Sequence, residues 1–263
     1  MNILRIFSIP KISSRAFKVW LRNKDVFMKT IKINFIPQLL EPILYLFGIG
    51  YGLGFFVREI DGLPYVEFIA PALICISMMN SAFFESTFAS FVRMYYQKTF
   101  DGIINTPLNI DEVIFGEILW ASTKSMINAS IILLVVSALQ LVRLPESLLL
   151  IPLSFLVGLV FASIGMCFTS LVPKIEFFNY PIFLLITPMY LFSGTFFPMS
   201  ILPEQIQTIS LLIFPLAHAV NISRWLTTGI AYSSIALSLL WLVVVAVPLT
   251  ILSINLMKKR LIV

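Results

Sequence analysis

Apolar runs separated by short polar or proline-containing breaks organise this chain, at about 32–57, 65–92, 113–139, 148–172, 177–193 and 233–257. Each reaches the roughly 17 residues that a helix needs, at minimum, to cross about 30 Å of hydrocarbon. None shows the in–out alternation of a lipid-facing barrel strand. The pattern predicts an all-α integral membrane fold with six transmembrane helices in a domain at 32–257, after an amino-terminal segment at 1–31 and before a tail at 258–263.

The breaks differ in character. REIDGLP and QLVRLPES read as tight turns, and PKIE as a short one. RMYYQKTFDGIINTPLNIDE is the longest polar interruption between the amino-terminal lead and Pro188. Residues 14–31, SRAFKVWLRNKDVFMKTI, place Phe17, Trp20, Leu21, Phe27, Met28 and Ile31 near one helical face, with Arg15, Lys18, Arg22 and Lys29 mostly elsewhere. Such a helix suits the headgroup layer.

From Pro188 to Val220 the chain is apolar but cut by Pro188, Pro198, Pro203 and Pro215. Proline removes a backbone donor and resists a helix interior. Pro203 and Pro215 each suit a first helical turn, and Gly229 suits a carboxy-terminal cap, so two short helices are predicted before the last span. Dipping back into the outer leaflet is the expected arrangement, since broken backbone at membrane depth needs cover. An outer cap without re-entry is the other arrangement.

Composition agrees with a membrane chain: of 263 residues, 59% are hydrophobic and only 12% charged, where soluble domains carry about 25% charged residues. Apart from Lys124 within a span, only Arg58, Arg143 and Arg224 fall on the side opposite the termini. The positive-inside rule therefore places both termini in the cytoplasm. The basic lead is too long and too charged for a cleavable signal peptide. The net charge of +5 is explained by topology and needs no nucleic acid.

Glu41, Glu85 and Lys124 lie within spans, where a central charge costs about 2.5–3.5 kcal/mol and demands a partner or a wet cavity. Counted from the inner helix ends, the two carboxylates sit at roughly 12–15 Å and the lysine at roughly 17 Å, so the three can meet. A neutralised packing cluster and a gate are both open readings. Glu117, nearer the inner surface, is expected to be solvated. GIGYGLG pairs Gly48 with Gly52 and Gly50 with Gly54 in G-x-x-x-G spacing, which admits a second backbone.

Chemistry is sparse. Cys75 and Cys167 fall in apolar runs and read as small hydrophobes, and a lone His218 leaves no multi-histidine metal site. No phosphate-binding G-x-x-x-x-G-K-[ST], H-E-x-x-H or G-x-S-x-G motif is present. The expectation is a chain that is not an enzyme and holds no cofactor or metal.

LEPILYLFGIGYGLG, FIAPALICISMMNSAFFESTFASFVRM, NTPLNIDEVIFGEILWASTKS, ITPMYLFSGTFFP and FPLAHAVNISRWL occur in that order. They resemble segments of ABC-2 type ATP-binding cassette transporter permeases, in the branch that includes the nodulation-factor (lipo-chitooligosaccharide) exporters. The resemblance covers almost the whole chain. It implies a second permease copy, as a homodimer, and two copies of a separate ABC ATPase subunit that binds ATP and Mg. It implies the plasma (inner) membrane, in contact with lipid, and export of an amphipathic or lipid-linked substrate such as a lipooligosaccharide or polysaccharide precursor.

The same resemblance makes the second-to-third loop the ATPase-coupling element, with Thr99, Phe100, Asp101, Gly102, Ile103 and Ile104 as a short helix and Thr106, Pro107 and Leu108 as its exit. Apolar Phe100, Ile103 and Ile104 then want a partner, or lie against the membrane surface. The resemblance also places a substrate route between two permeases, with Phe183, Met189, Phe192, Phe196 and Phe197 near its outer mouth. A drug exporter differs only in cargo. A secondary transporter or channel is the alternative of another class, though no internal repeat supports it.

Overall fold

The computed structural model describes residues 8–31, 40, 42–231 and 233–262. Helix α1 (Ala16–Lys29) precedes α2 (Pro42–Val57), the described part of the first predicted span. Glu41 and residues 32–39 lie outside the described residues. A small hairpin, β1 (Glu59–Ile60) with β2 (Leu63–Pro64), turns at Asp61 and Gly62. Their φ of 53° and 75° are the left-handed values that an Asp-Gly turn supplies.

Next come α3 (Tyr65–Tyr96), the short α4 (Thr99–Ile104), α5 (Ile110–Ala138), α6 (Glu146–Leu171) and α7 (Ile175–Phe192). After them lie α8 (Glu204–Ile213), α9 (Pro215–Thr228) and α10 (Ile235–Leu261). Among the described residues, α3, α5, α6, α7 and α10 are each long and apolar enough to cross a membrane. With α2 they make the chain a multi-pass, all-helical membrane protein apart from the hairpin.

The proline-cut stretch forms the two predicted helices. Phe214 precedes Pro215 and is held extended (φ −96°, ψ 108°), as the residue before proline must be, so α8 and α9 meet at 95°. Gly229, at φ 82°, caps α9 in the left-handed conformation. His218 ties the pair together: its Nε2 lies 2.7 Å from the Leu211 carbonyl oxygen, and its ring stacks on Trp241 of α10.

Helices α3, α5 and α6 pack on one another, with α10 against α6, α9 against α3 and α1 against α5. Two isolated glycines set these approaches. A Cβ on Gly158 would lie 2.8 Å from Ser125 Cβ, and one on Gly116 would lie 2.6 Å from both the Ala16 carbonyl oxygen and Val19 Cβ. The face that α1 buries is therefore Ala16, Val19, Asn23 and Phe27. Phe17 and Met28, predicted to share its apolar face with Phe27, are exposed.

Two boundaries and one burial differ from the sequence reading. The second span continues through Arg93 to Tyr96 instead of ending near residue 92. The last helix carries Lys258, Lys259 and Arg260 within its final turns rather than in a tail. Arg224, assigned to the outer polar side, is buried in α9. In the first two cases the helix outlasts the apolar run because a carboxylate, a carbonyl or the helix dipole receives the cation, and Arg224 is buried because the Gly194 carbonyl and the Phe68 ring receive it.

Candidate functional site

Glu85 and Arg93 both belong to α3, eight positions apart. In an ideal α-helix that spacing leaves roughly 80° between their directions. Wider, π-type turns at Glu85–Ala89 and Val92–Tyr96 reduce the rotation per residue and bring the two side chains together. Arg93 Nη1 lies 2.8 Å from Glu85 Oε1. Across on α5, Glu117, Trp120 and Lys124 recur at i, i+3 and i+7, one face of a helix.

These faces interlock. Lys124 Nζ sits 2.8 Å from Glu85 Oε2, and Arg93 Nη2 sits 2.6 Å from Glu117 Oε2. The Trp120 indole N–H donates to Glu85 Oε1 at 3.2 Å, and the Ser90 hydroxyl donates to Glu117 Oε2 at 2.9 Å. From α1, the Asn23 amide donates to Glu117 Oε1 at 2.7 Å, while Arg22 Nη1 donates to Asn23 Oδ1 at 2.9 Å. Charges thus alternate along Arg22, Glu117, Arg93, Glu85 and Lys124. Burial lowers the pKa of Arg22 from its ordinary value, with Glu117 opposing that effect and Arg93 adding to it.

The predicted meeting of Glu85 with Lys124 is present, whereas Glu41 lies outside the described residues. The expectation that Glu117 is solvated is overturned: it is fully buried, because Arg93, Ser90 and Asn23 replace its water. Arg93, Trp120 and Asn23 were not singled out in the sequence, and Arg22 only as part of the polar face of the first helix. The i+7 recurrence of Glu117 and Lys124 was the available signal for a second carboxylate.

Beside this chain of charges opens a cavity of about 530 Å³. Arg22, Glu85, Arg93, Lys124, Ser81 and Asn128 contribute polar lining, and Val26, Phe27, Tyr45, Phe84 and Phe88 contribute apolar and aromatic lining. Four elements build it, namely α1, α2, α3 and α5. Among the described residues, no group of three or more His, Cys, Asp or Glu side chains is placed to hold a metal.

Residues 12–228 match the family described as ABC-2 type transporter. The chain belongs to that family. Nodulation protein J of Bradyrhizobium diazoefficiens is 36% identical over 243 residues, 92% of each chain. Nodulation protein J of Sinorhizobium fredii is 35% identical over the same length and share. The inner membrane transport permease YadH of Escherichia coli is 22% identical over 217 residues, 81% of this chain and 82% of that one.

In this ABC-2 permease the second-to-third loop does form a short helix, α4, entered through Lys98 at φ 52°. Its apolar residues do not face outward as a partner surface. Phe100 is fully buried in the permease's own core, and Ile103, Ile104 and Leu108 pack against that core. Thr99 is half-buried; Asp101, Gly102, Thr106 and Pro107 form the exposed face. Arg15 Nη1 donates to the Pro107 carbonyl oxygen at 2.9 Å, fastening the loop to the segment before α1.

The proposed route residues divide. Phe183 is exposed on α7, while Phe192, Phe196 and Phe197 are half-buried. Met189 is packed inside, only 1% exposed, so it offers no surface to a passing molecule. Of the span-one glycines, Gly50 and Gly54 face α3, where added Cβ atoms would meet Val66 at 3.2 Å and Tyr65 at 3.8 Å. Gly48 and Gly52 would meet nothing within 4 Å.

Proposed function

We propose that this chain is the transmembrane subunit of an ATP-driven exporter that moves an amphipathic or lipid-linked molecule out of the cytoplasm or inner leaflet. A lipooligosaccharide or polysaccharide precursor fits this description. The observation that carries the reading is the cavity, in an ABC-2 chain, whose lining joins buried charges and amides to aromatic and aliphatic side chains. An amphiphile needs both surfaces at once. The resemblance of its sequence segments to nodulation-factor exporters favours a lipid-bearing oligosaccharide as cargo, and the relatives named Nodulation protein J agree with that branch.

In this reading a second permease copy and two separate ABC ATPase subunits, which bind ATP and Mg, complete the transporter in the inner membrane. Both termini are cytoplasmic, as the positive-charge asymmetry favours. The ATPase docks on the exposed face of α4. Movement of α4 is transmitted inward through buried Phe100 and sideways through the Arg15–Pro107 contact.

Gly102→Trp tests the reading. A Cβ there meets nothing within 4 Å in this chain, so the added ring obstructs a partner without a clash inside the permease. Co-purification with the cognate ATPase in lipid and steady-state ATP hydrolysis are the readouts. The expected result is a native complex whose association or hydrolysis is lost in the variant while permease thermal stability is unchanged. Failure of any ATPase to associate, with solute movement by the chain alone, would instead indicate a secondary transporter or channel.

A further inference from the structure

Among the described residues, four helical turns are wider than an α-helix allows. The Gly52 N–H bonds the Phe47 carbonyl, that of Ser90 the Glu85 carbonyl, that of Gln97 the Val92 carbonyl and that of Thr187 the Ile182 carbonyl, each five residues back. A turn closed in this way holds one residue more than a regular one, and such bulges recur at functional sites. One lies in α2, two in α3 and one in α7. By contrast α5 and α10 are regular throughout, and α6 is regular from Leu150 onward.

The sequence accounts for two of them. Pro188 has no N–H to offer the Leu184 carbonyl, so the ladder of α7 is already broken beside its wide turn. Hydroxyls support the longer bonds: Thr187 Oγ1 donates to the Ile182 carbonyl oxygen at 3.1 Å, and Ser90 Oγ lies 3.2 Å from the Glu85 carbonyl oxygen. Each is the acceptor that the residue's own N–H uses.

In α3 the wide turns separate a fixed part from a part joined to α4. Before them, Ser125 Oγ of α5 lies 3.0 Å from the Met78 carbonyl oxygen, and the Ser223 hydroxyl of α9 donates to the Pro71 carbonyl oxygen at 3.2 Å. After them, Gln97 and Lys98 lead straight into α4. The regular spans form a frame: α5 and α6 approach closely at Gly158, and α6 and α10 share the buried Ser163–Thr250 hydrogen bond at 2.9 Å. Arg93 holds the inner end of α3 in place, bonding Glu85 across the first wide turn and Glu117 on α5.

We infer that the wide turn at Glu85–Ala89 stores a surplus residue on which α4 draws: when α4 moves, the turn closes to regular α-helix and the inner end of α3 rotates against the frame of α5, α6 and α10. Closing the turn advances each later residue by about one position, roughly 100°. Arg93 then leaves Glu85, which keeps Lys124. Glu117 keeps the Asn23 amide, beside which Arg22 stands as the next cation. Met94, 6% exposed, takes the direction of Tyr95, 52% exposed. The inference deepens the exporter reading and rests on it for the force on α4, not for the surplus residue.

Deletions test it. Removing Ala89 takes out the surplus residue and leaves the flanking parts of α3 in register, whereas removing Ala121 from regular α5 turns everything after it by roughly 100°. In the full chain in detergent, without ATPase, the Ala89 deletion should melt within about 3 °C of the native chain and the Ala121 deletion more than about 10 °C below it. Met94→Cys, combined with Cys75→Ala and Cys167→Ala, should react slowly with a hydrophilic maleimide whether or not Ala89 is present. Equal destabilisation by the two deletions, or fast labelling in the Ala89 deletion, would overturn the proposal.

In the assembled transporter, a nonhydrolysable ATP analogue should speed Met94→Cys labelling severalfold with Ala89 present. The Ala89 deletion should bind the ATPase and show no such rise. A rise in both, or in neither, in a complex that hydrolyses ATP would equally overturn the proposal. Absence of any bound ATPase would instead defeat the exporter reading, and the pair of deletions would still decide whether α3 carries a surplus residue.

Discussion

Arg93 of span two and Glu117 of span three meet at 2.6 Å, and Glu117 is fully buried. Arg93 also neutralises Glu85, so one guanidinium serves two carboxylates. Removing a single member of a buried pair strands its partner and costs about 3–5 kcal/mol, whereas removing both members with apolar replacement is often neutral. Glu117→Leu should therefore lower the thermal midpoint in detergent by roughly 5–10 °C. Adding Arg93→Met should recover part of that loss, since Glu85 keeps Lys124. A double variant less stable than Glu117→Leu would show that the charges do not act as a pair.

The docking of α1 depends on Gly116. With 2.6 Å available to a Cβ at the Ala16 carbonyl and at Val19, even alanine must push α1 away, and leucine cannot be accommodated. Displacing α1 would also break the 2.7 Å Asn23–Glu117 hydrogen bond and the 2.9 Å bond from the Trp20 indole to Thr123. In Gly116→Leu, trypsin should cut after Arg15, Lys18 or Lys24 at least severalfold faster than in the native chain. Unchanged cleavage would mean that α1 is not held by this contact.

What the sequence reveals depends on whether the signal lies within one helix or between two. Long apolar helices and the broken pair before α10 are written in hydropathy and in Pro203, Pro215 and Gly229, and among the described residues five such helices and that pair are present. The GIGYGLG cluster advertised close packing, yet within this chain a Cβ added at Gly48 or Gly52 would meet nothing within 4 Å, while solitary Gly116 and Gly158 carry tight contacts. A glycine's role is set by what approaches it, which spacing along one helix does not encode. Arg93 looked like the start of a polar loop, and Arg224 like a charge on the polar side, for the same reason: each is buried by partners distant in sequence. Phe100 looked like a docking residue because its own covering helices were not in view.

The amino-terminal segment and the α4 loop are joined by few bonds. Arg15 donates to the Pro107 carbonyl, and the Ser13 hydroxyl donates to Glu112, whose other oxygen accepts from the Asn109 N–H at 2.9 Å and so helps to start α5. Hydrogen bonds of a charged donor are worth about 1.5–3 kcal/mol when buried and less when exposed, as here. Arg15→Ala should speed amide hydrogen exchange across residues 99–108 severalfold while leaving α6 and α10 unchanged. Exchange at the native rate would sever the proposed link between α1 and the coupling loop.

Arg224 anchors the α8–α9 pair to α3. Its guanidinium carbon lies 3.8 Å from the Phe68 ring centroid, and Nη2 donates to the Gly194 carbonyl oxygen at 2.8 Å. Gly194 sits at φ 71°, where the chain leaves α7, so one side chain fixes the exit of α7, the start of span two and α9 together. Arg224→Leu leaves that carbonyl unpaired and removes the cation over the ring, a loss of about 3 kcal/mol or more. Arg224→Lys should fall between, because an ammonium cannot lie flat over the ring while reaching the carbonyl. Glu204→Gln, on the exposed first turn of α8, should leave the thermal midpoint unchanged. If Arg224→Leu melts with that control, the α8–α9 pair is held by its other contacts, among them the Ser223 hydroxyl on the Pro71 carbonyl, and Arg224 does not anchor it.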